Sequence, residues 1–253
     1  MSLESLEGKG ILIARPRMQA DYLMEQIASR AGRAVLCPAI DLIELNAKPV
    51  SSVVTYDAII FVSPTSVEMG WKKAKGLIEG SAGILIAATG RVTANKVLDE
   101  GCNKVLFPDG QGGAHALVVL LRNQLDLPSS RVLVVNGEGG DGRLEQALRR
   151  EGVKVQTFTC YRRSDIRDST HLESLGESAM GLDAWIATSR RSIGNMFAQF
   201  KGRTTKLTTI PLFVNHSAIA DEALIRGVKT VCVCHDAGEA MIKSIEDWFA
   251  SVN

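Results

Sequence analysis

Short apolar runs alternate with longer amphipathic segments along most of the chain, and this alternation predicts the secondary structure. Most of the apolar runs are continuously hydrophobic, which is typical of strands that are covered on both faces. Helical patterns such as Met18–Ala31 and Leu144–Glu151 separate most of them. The predicted strands are Gly10–Ala14, Val35–Ile40, Asp57–Ser63, Gly83–Thr89, Lys104–Pro108, Arg131–Gly137, Val153–Tyr161, Leu182–Thr188, Ile210–Asn215 and Lys229–Cys234. We therefore expect an α/β fold with parallel sheets flanked by helices, and two sheets because these strands are too many for one.

One stretch of sequence occurs twice. Asp57–Val67 resembles Asp183–Ile193, and the same register aligns Leu98 with Leu224. The repeat predicts two similar α/β domains with a cleft between them. It leaves open whether the domains are contiguous or exchange their first β-α unit.

The composition is that of an ordinary soluble globular protein, with 253 residues, 45% hydrophobic and 23% charged. Lys and Arg total 29 against 28 Asp and Glu, a net charge of +1. This balance argues against a nucleic-acid partner held by bulk electrostatics. There is no apolar run of about 18 residues, so we expect no membrane partner. The acidic start lacks the apolar segment of a secretory signal, so we expect a cytoplasmic protein.

Cysteine and histidine spacing gives no sign of a metal site. The five cysteines are scattered, and the four histidines are far apart in sequence. A metal site needs closely spaced ligands, so we expect no metal. Free cysteines favour burial, so we expect buried thiols in a reducing compartment.

Small polar residues occupy the turns where predicted strands lead into helices. In parallel sheets ligands bind at the carboxyl ends of strands, and helix N-termini there suit anions. Each turn is also a good helix cap, so capping alone explains any one of them. The turns are Ser63–Ser66, Thr89–Thr93, Asn136–Gly142, Ser189–Ser192 and Asn215–Ser217. Five together predict a polyanionic ligand held from both domains, largely by backbone N–H groups.

A glycine pattern leaves a rival function open. Gly137, Gly139 and Gly142 spell G-x-G-x-x-G between a predicted strand and a predicted helix. The acidic residue expected about 20 positions later is missing, and Arg162 and Arg163 stand there instead. Because arginines accept a 2′-phosphate, an NADP-dependent reductase is one alternative. A non-catalytic, two-lobed binding protein for an anionic metabolite is the other.

No hydrolytic motif occurs, and the acids Asp57 and Asp183 precede strands, at the edge of the sheet away from ligands. Tyr161 is a better candidate for chemistry. It ends an apolar run and is followed by two arginines. Burial within a strand would also explain it.

Several short motifs occur in order along the whole chain. They are Ile11–Pro16, Phe61–Val67, Gly90–Ala94, Arg131–Gly140, Leu144–Val155 and Thr159–Arg163. In this order they resemble the uroporphyrinogen-III synthase family. The resemblance implies one discontinuous domain, residues 1–37 plus 167–253, and a second domain, residues 40–163. It implies that a two-stranded connector, Val35–Ile40 with Thr157–Arg163, joins them.

The resemblance also implies a reaction: hydroxymethylbilane, a linear tetrapyrrole with eight carboxylates, is cyclised with inversion of its last ring and loss of water. Positioning and electrostatics would dominate, without a cofactor. Tyr161 matches the tyrosine that helps the hydroxyl leave. The predicted substrate-binding residues are Arg15, Ser63, Thr65, Ser66, Gly90, Arg91, Thr93, Gly137, Glu138, Ser189, Arg190, His216 and Ser217. This polyanionic tetrapyrrole is the expected partner, and we expect a monomer.

Overall fold

The computed structural model describes residues 5–45, 54–80, 83–110, 112–174, 181–234 and 236–252. The chain divides into two compact units. The split unit comprises Met1–Leu42 and Ser164–Asn253, and the continuous unit comprises Ile43–Arg163. The chain therefore passes twice from one unit to the other. The predicted domain limits and the cleft stay predictions.

Within the described residues the chain forms ten strands and ten α-helices. The strands are β1 (Gly10–Ile13), β2 (Arg33–Leu36), β3 (Ile40–Glu44), β4 (Ala58–Phe61), β5 (Leu85–Ala88), β6 (Arg131–Gly137), β7 (Lys154–Asp165), β8 (Ala184–Ile186), β9 (Leu212–Val214) and β10 (Val231–Val233). The helices are α1 (Asp21–Ala28), α2 (Pro64–Glu79), α3 (Arg91–Asp99), α4 (Ala114–Arg122), α5 (Arg143–Arg150), α6 (Thr170–Ser174), α7 (Arg190–Gln199), α8 (Thr204–Thr209), α9 (Ser217–Ile225) and α10 (Glu239–Val252). None of the described helices is long and apolar enough to cross a membrane.

The strands form two five-stranded sheets, and the predicted α/β class with parallel sheets and flanking helices is confirmed. The first sheet has the order β10-β9-β8-β1-β2, and the second has the order β3-β7-β6-β4-β5. Neighbouring strands from β10 to β2, and from β7 to β5, run parallel. In the first sheet, apolar clusters cover both faces, one around Leu12 and Trp185 and the other around Ile11 and Ile186. Burial on both faces explains why these strands are continuously apolar.

The two sheets share one topology, which gives the internal repeat a structural basis. The series β9-β8-β1-β2 in the first sheet corresponds to β5-β4-β6-β7 in the second. The amino ends of the strands in the two sheets also have equivalent hydrogen bonds. Asp183 accepts a hydrogen bond from Gly10 N at 2.7 Å, and Asp57 accepts one from Arg131 N at 2.7 Å. Both acids therefore pair neighbouring strands, at the edge predicted to be away from the chemistry.

Two predicted strands are wrong in detail. Lys104–Pro108 is not a strand, since only Leu106 pairs, in one parallel bridge with Ala87. Val35–Ile40 is not one strand either, because β2 ends at Leu36 and β3 begins at Ile40. Pro38 lies between them and has no N–H to donate to a strand ladder.

The predicted burial of the thiols holds for three of the five cysteines. Cys37, Cys160 and Cys234 are buried, whereas Cys102 and Cys232 are partly exposed, and all five are free. Burial raises the pKa of Cys37 to about 12 and that of Cys160 to about 11. The thiolate is the reactive form, so these two groups are expected to be inert near neutral pH.

Alkylation of the native protein with iodoacetamide at pH 8 should therefore modify Cys102 first and leave Cys37 and Cys160 unmodified. Mass spectrometry of tryptic peptides at successive times gives the order of reaction. Protein unfolded in guanidinium chloride is the control, in which all five thiols should react. Labelling of native Cys37 as fast as Cys102 would show that Cys37 is not buried.

Candidate functional site

A cavity of about 340 Å³ lies in the continuous unit, at the carboxyl ends of the strands of the second sheet. Ser63 follows β4, Thr89 follows β5, and Gly137 ends β6, and all three line it. The first residues of α4 and α5 line it too. Helix N-termini carry unpaired N–H groups and partial positive charge, so this arrangement suits an anionic ligand.

Tyr161 forms one wall of this cavity and is held in place by its neighbours. It is only 2% exposed, and its ring lies so close to Gly137 that a Cβ atom there would be 2.3 Å from the ring's Cζ. The guanidinium carbon of Arg163 lies 5.2 Å from the ring centre on a cation–π contact. In the part of the chain that the structure describes, no hydrogen bond engages the Tyr161 hydroxyl. The ring is thus fixed while its hydroxyl is available to a ligand.

A β-bulge in β7 sets the direction of Tyr161. Asn136 pairs with Thr159, but the next residue, Gly137, pairs with Tyr161, so Cys160 is an extra residue. A one-residue shift turns a strand's side chains to the opposite face. The bulge therefore places the tyrosine ring opposite the one residue of β6 that has no side chain.

Two serines at the start of α2 cap the helix, and one of them also lines the cavity. Ser63 and Ser66 form a capping box in which each hydroxyl accepts the other's backbone N–H at 3.1 Å. Ser66 is fully buried and Thr65 is 7% exposed, whereas Ser63 lines the cavity. Of these three predicted ligand residues, the structure brings only Ser63 to Tyr161's cavity.

The predicted residues around α3 lie outside the lining of this cavity. Gly90 is the N-cap of α3, and Thr93 is 5% exposed. Arg91 pairs with Asp109 at 2.7 Å on the exposed surface. Glu138 is exposed and lines a neighbouring open pocket with Thr159 and Gly139.

The other predicted residues belong to the split unit. Ser189 caps α7, accepting the N–H of Ser192 at 3.0 Å. His216 caps α9 through Nδ1, which accepts the N–H of Ala218 at 3.1 Å, and Ser217 is exposed. Arg15 donates to the backbone oxygen of Ala237 at 3.4 Å.

Arg190 lies in a basic pocket on the split unit. Three further arginines line this pocket, and none of them was predicted from the sequence: Arg167, Arg191 and Arg226. Asp165 pairs with both Arg167 and Arg191, and Glu222 pairs with Arg226 at 2.7 Å. The adjacent arginines 190 and 191 were the only signal of this pocket in the sequence.

Glu145 was not predicted from the sequence, but it lines the same cavity as Tyr161. It is 8% exposed and accepts a hydrogen bond from Asn136 Nδ2 at 2.8 Å. Leu144 and Leu148 are the other buried residues of α5. A carboxylate on the apolar face of an amphipathic helix was the available signal.

Comparison with known proteins gives a family. The family model HEM4, described as uroporphyrinogen-III synthase HemD, matches residues 21–242. The solved structure of uroporphyrinogen-III synthetase from Helicobacter pylori is similar, with a TM-score of 0.56 and 13% identity over 97% of this chain and 100% of that chain. A mutant uroporphyrinogen III synthase from Thermus thermophilus has a TM-score of 0.54 and 16% identity, over 96% of this chain and 99% of that chain. At these identities the structures support the fold, and the family model supports the family.

Proposed function

The chain belongs to the uroporphyrinogen-III synthase family, and on that premise we propose that it converts hydroxymethylbilane to uroporphyrinogen III. The match of the family model over residues 21–242 carries this proposal. The cavity around Tyr161 supports it, because helix N-termini that suit an anionic ligand line that cavity. Monomeric state, cytoplasmic location and independence of a cofactor are part of the same proposal.

The reaction breaks one C–O bond and inverts one pyrrole ring. The hydroxyl of the terminal hydroxymethyl group takes a proton and leaves as water, and the pyrrole that carried it becomes an azafulvenium cation. The last ring attacks this carbon through its bridge-bearing position and gives a spiro intermediate. That intermediate fragments and recloses at the other α-carbon, so the last ring ends inverted.

Tyr161 is the group we assign to hydroxyl departure. A tyrosine hydroxyl donates a hydrogen bond or a proton, and this one lines the cavity with a ring fixed by Gly137 and Arg163. The proton that Tyr161 gives to the departing oxygen is later replaced by the one lost from the α-carbon at which the last ring recloses. The cycle therefore closes without a covalent intermediate.

The substrate carboxylates need partners that carry positive charge. The N-termini of α4 and α5 and the side chain of Arg163 line the cavity. Arg143 lines it too and pairs with Asp141 at 3.2 Å. Arginine side chains bind carboxylates through charge-assisted hydrogen bonds. Arg15, Arg91, Arg190 and the other predicted substrate-binding residues are proposed as further contacts, except Ser66, whose buried hydroxyl bonds the backbone of Ser63.

The NADP-dependent reductase is not favoured. In a dinucleotide-binding turn, a glycine lets the backbone approach the pyrophosphate closely. Here Gly137 is packed against the Tyr161 ring. The family match also favours the synthase over both alternatives.

The isomer of the product tests the proposed function. Purified protein is mixed with freshly prepared hydroxymethylbilane, the porphyrinogens are oxidised to porphyrins, and the type I and type III isomers are separated by chromatography. Uncatalysed closure occurs without inversion and gives type I, so heat-inactivated protein is the control. We expect mainly type III from the native protein, and type I alone would refute the proposal.

Binding should depend on the substrate carboxylates and on salt. A fully esterified bilane carries no carboxylate charge, so it should bind at least about tenfold more weakly than the free acid, given that a charge-assisted hydrogen bond is worth roughly twice a neutral one. Rising salt should weaken the free acid's binding, because exposed charges are screened. The free acid and the full ester of a bilane that lacks the reactive hydroxyl are each tested as inhibitors of hydroxymethylbilane turnover, at two salt concentrations. Equal inhibition by ester and free acid would argue against the helix N-termini and arginines as ligands.

A further inference from the structure

We propose that Glu145 is a second catalytic residue, whose carboxylate stabilises the positive charge that the pyrrole acquires when the hydroxyl leaves. This role rests on the proposed function. Its basis is geometric, since Glu145 and Tyr161 line one cavity at the end of the second sheet.

A chain of hydrogen bonds fixes the position of Glu145. Thr159 Oγ1 donates to Asn136 Oδ1 at 2.9 Å, and Asn136 Nδ2 donates to Glu145 Oε1 at 2.8 Å. Asn136 directly precedes Gly137, on which the tyrosine ring rests. Strand β6 therefore aligns both the carboxylate and the phenol.

Within the described residues, the charge of Glu145 lacks a counter-ion. None of the ion pairs among those residues includes Glu145, and only its Oε1 atom accepts a hydrogen bond. Its place in the first turn of α5 supplies helix-dipole stabilisation. Its other oxygen, Oε2, accepts no hydrogen bond within those residues and is not among their buried unpartnered atoms, so it is open to the cavity. An oriented carboxylate that is open to a cavity is suited to stabilise positive charge that develops there.

The reaction forms a cation that this carboxylate stabilises. When the C–O bond breaks, its electron pair stays with the oxygen, which takes a proton from Tyr161 and leaves as water. The nitrogen lone pair of the pyrrole then delocalises onto the exocyclic carbon, and the ring becomes an azafulvenium cation with a polarised N–H. The carboxylate attracts this cation and accepts its N–H hydrogen bond. Attack by the last ring moves the positive charge onto that ring in the spiro intermediate. Neutrality is restored after fragmentation and reclosure, when the α-carbon that forms the final bond loses its proton to the tyrosine.

The carboxylate acts on the transition state more than on the bound substrate. The neutral hydroxymethylpyrrole gains little from a nearby negative charge, and the substrate's own carboxylates are repelled by it. Fixed charge that is matched to charge developing in the transition state raises kcat rather than affinity. Glu145 should also keep acetate and propionate groups out of this part of the cavity.

Substitutions of Glu145 separate its charge from its shape. Glu145→Gln keeps the acceptor for Asn136 and removes only the charge, so kcat should fall at least about tenfold while KM stays equal or decreases. Glu145→Asp keeps the charge and should be more active than Glu145→Gln. A purely structural role would give the reverse ranking, because glutamine preserves the hydrogen bond and the length. Glu100→Gln is the control, because it removes one negative charge at the exposed end of α3. It should leave kcat unchanged.

Wild type, the two Glu145 variants and Glu100→Gln are assayed together for rate and product isomer, with folding checked by circular dichroism and thermal melting. An active wild type with Glu145→Gln within about twofold of its kcat would overturn the role of Glu145 alone. Glutamine ranking above aspartate would overturn it as well. A wild type that yields only the type I isomer would instead overturn the proposed function, and this role with it.

Discussion

Replacing Tyr161 with phenylalanine is expected to lower kcat about 100-fold and to change KM little, because proton donation is typically worth 10²–10⁴-fold and the electron-rich pyrrole already assists the leaving group. The ring contacts to Gly137 and Arg163 need no hydroxyl, so the variant should fold normally. Steady-state turnover with fresh hydroxymethylbilane measures the effect.

Tyr56 provides a matched control for that experiment. It is also a buried tyrosine of the continuous unit, 4% exposed, and its hydroxyl donates to Gln156 Oε1 at 2.6 Å. Burial raises its pKa, so its hydroxyl stays protonated. Tyr56→Phe should cost about 1 kcal/mol of stability through the lost hydrogen bond and keep its turnover. Tyr161→Phe with turnover within about twofold of wild type would remove the phenol from the mechanism.

Gly137→Ala is expected to lower kcat by about 100-fold or more, comparable to the loss of the phenol itself. The new Cβ would stand 2.3 Å from Cζ and 2.6 Å from Cε1 of Tyr161, so the ring must leave its position. Overpacking of this kind also costs about 1–3 kcal/mol of stability. Thermal melting and turnover of the same preparation separate the two effects.

Gly76→Ala is the control, because that glycine lies on the exposed face of α2, where a new Cβ would have no neighbouring atom within 4 Å. It should be neutral in activity and slightly stabilising, since alanine favours a helix. A double variant, Gly137→Ala with Tyr161→Phe, should be about as slow as Gly137→Ala alone, because both changes disable one group. Fully additive losses would show that Gly137 acts independently of the tyrosine.

The fold was largely predictable because burial on both faces leaves a clear pattern in the sequence. Arg131–Gly137 was predicted with its observed bounds, as a continuous apolar run ending at glycine. Lys104–Pro108 looked similar but forms only the bridge between Leu106 and Ala87. A short apolar run shows that a segment is buried, but it does not show whether the segment completes a strand ladder.

The site was less predictable because it depends on contacts between distant positions. Tyr161 and Ser63 could be identified from strand ends and turn chemistry. The bulge at Cys160, which turns the tyrosine toward Gly137, leaves no local sequence signal. The hydrogen bond from Asn136 to Glu145 likewise requires knowledge of how β6 meets α5. Ser66 was predicted from the sequence as a substrate-binding residue. In the structure its hydroxyl is part of the capping box of α2.

The most direct test of ring inversion follows one carbon–carbon bond. Hydroxymethylbilane is prepared with ¹³C at the hydroxymethyl carbon and at the α-carbon of the last ring that already bears a bridge. Inversion joins these two carbons directly, whereas simple closure joins the hydroxymethyl carbon to the opposite, unlabelled α-carbon. With the native protein we expect a one-bond ¹³C–¹³C coupling in the NMR spectrum of the product. Product that lacks this coupling would contradict the assignment of this chain as a uroporphyrinogen-III synthase.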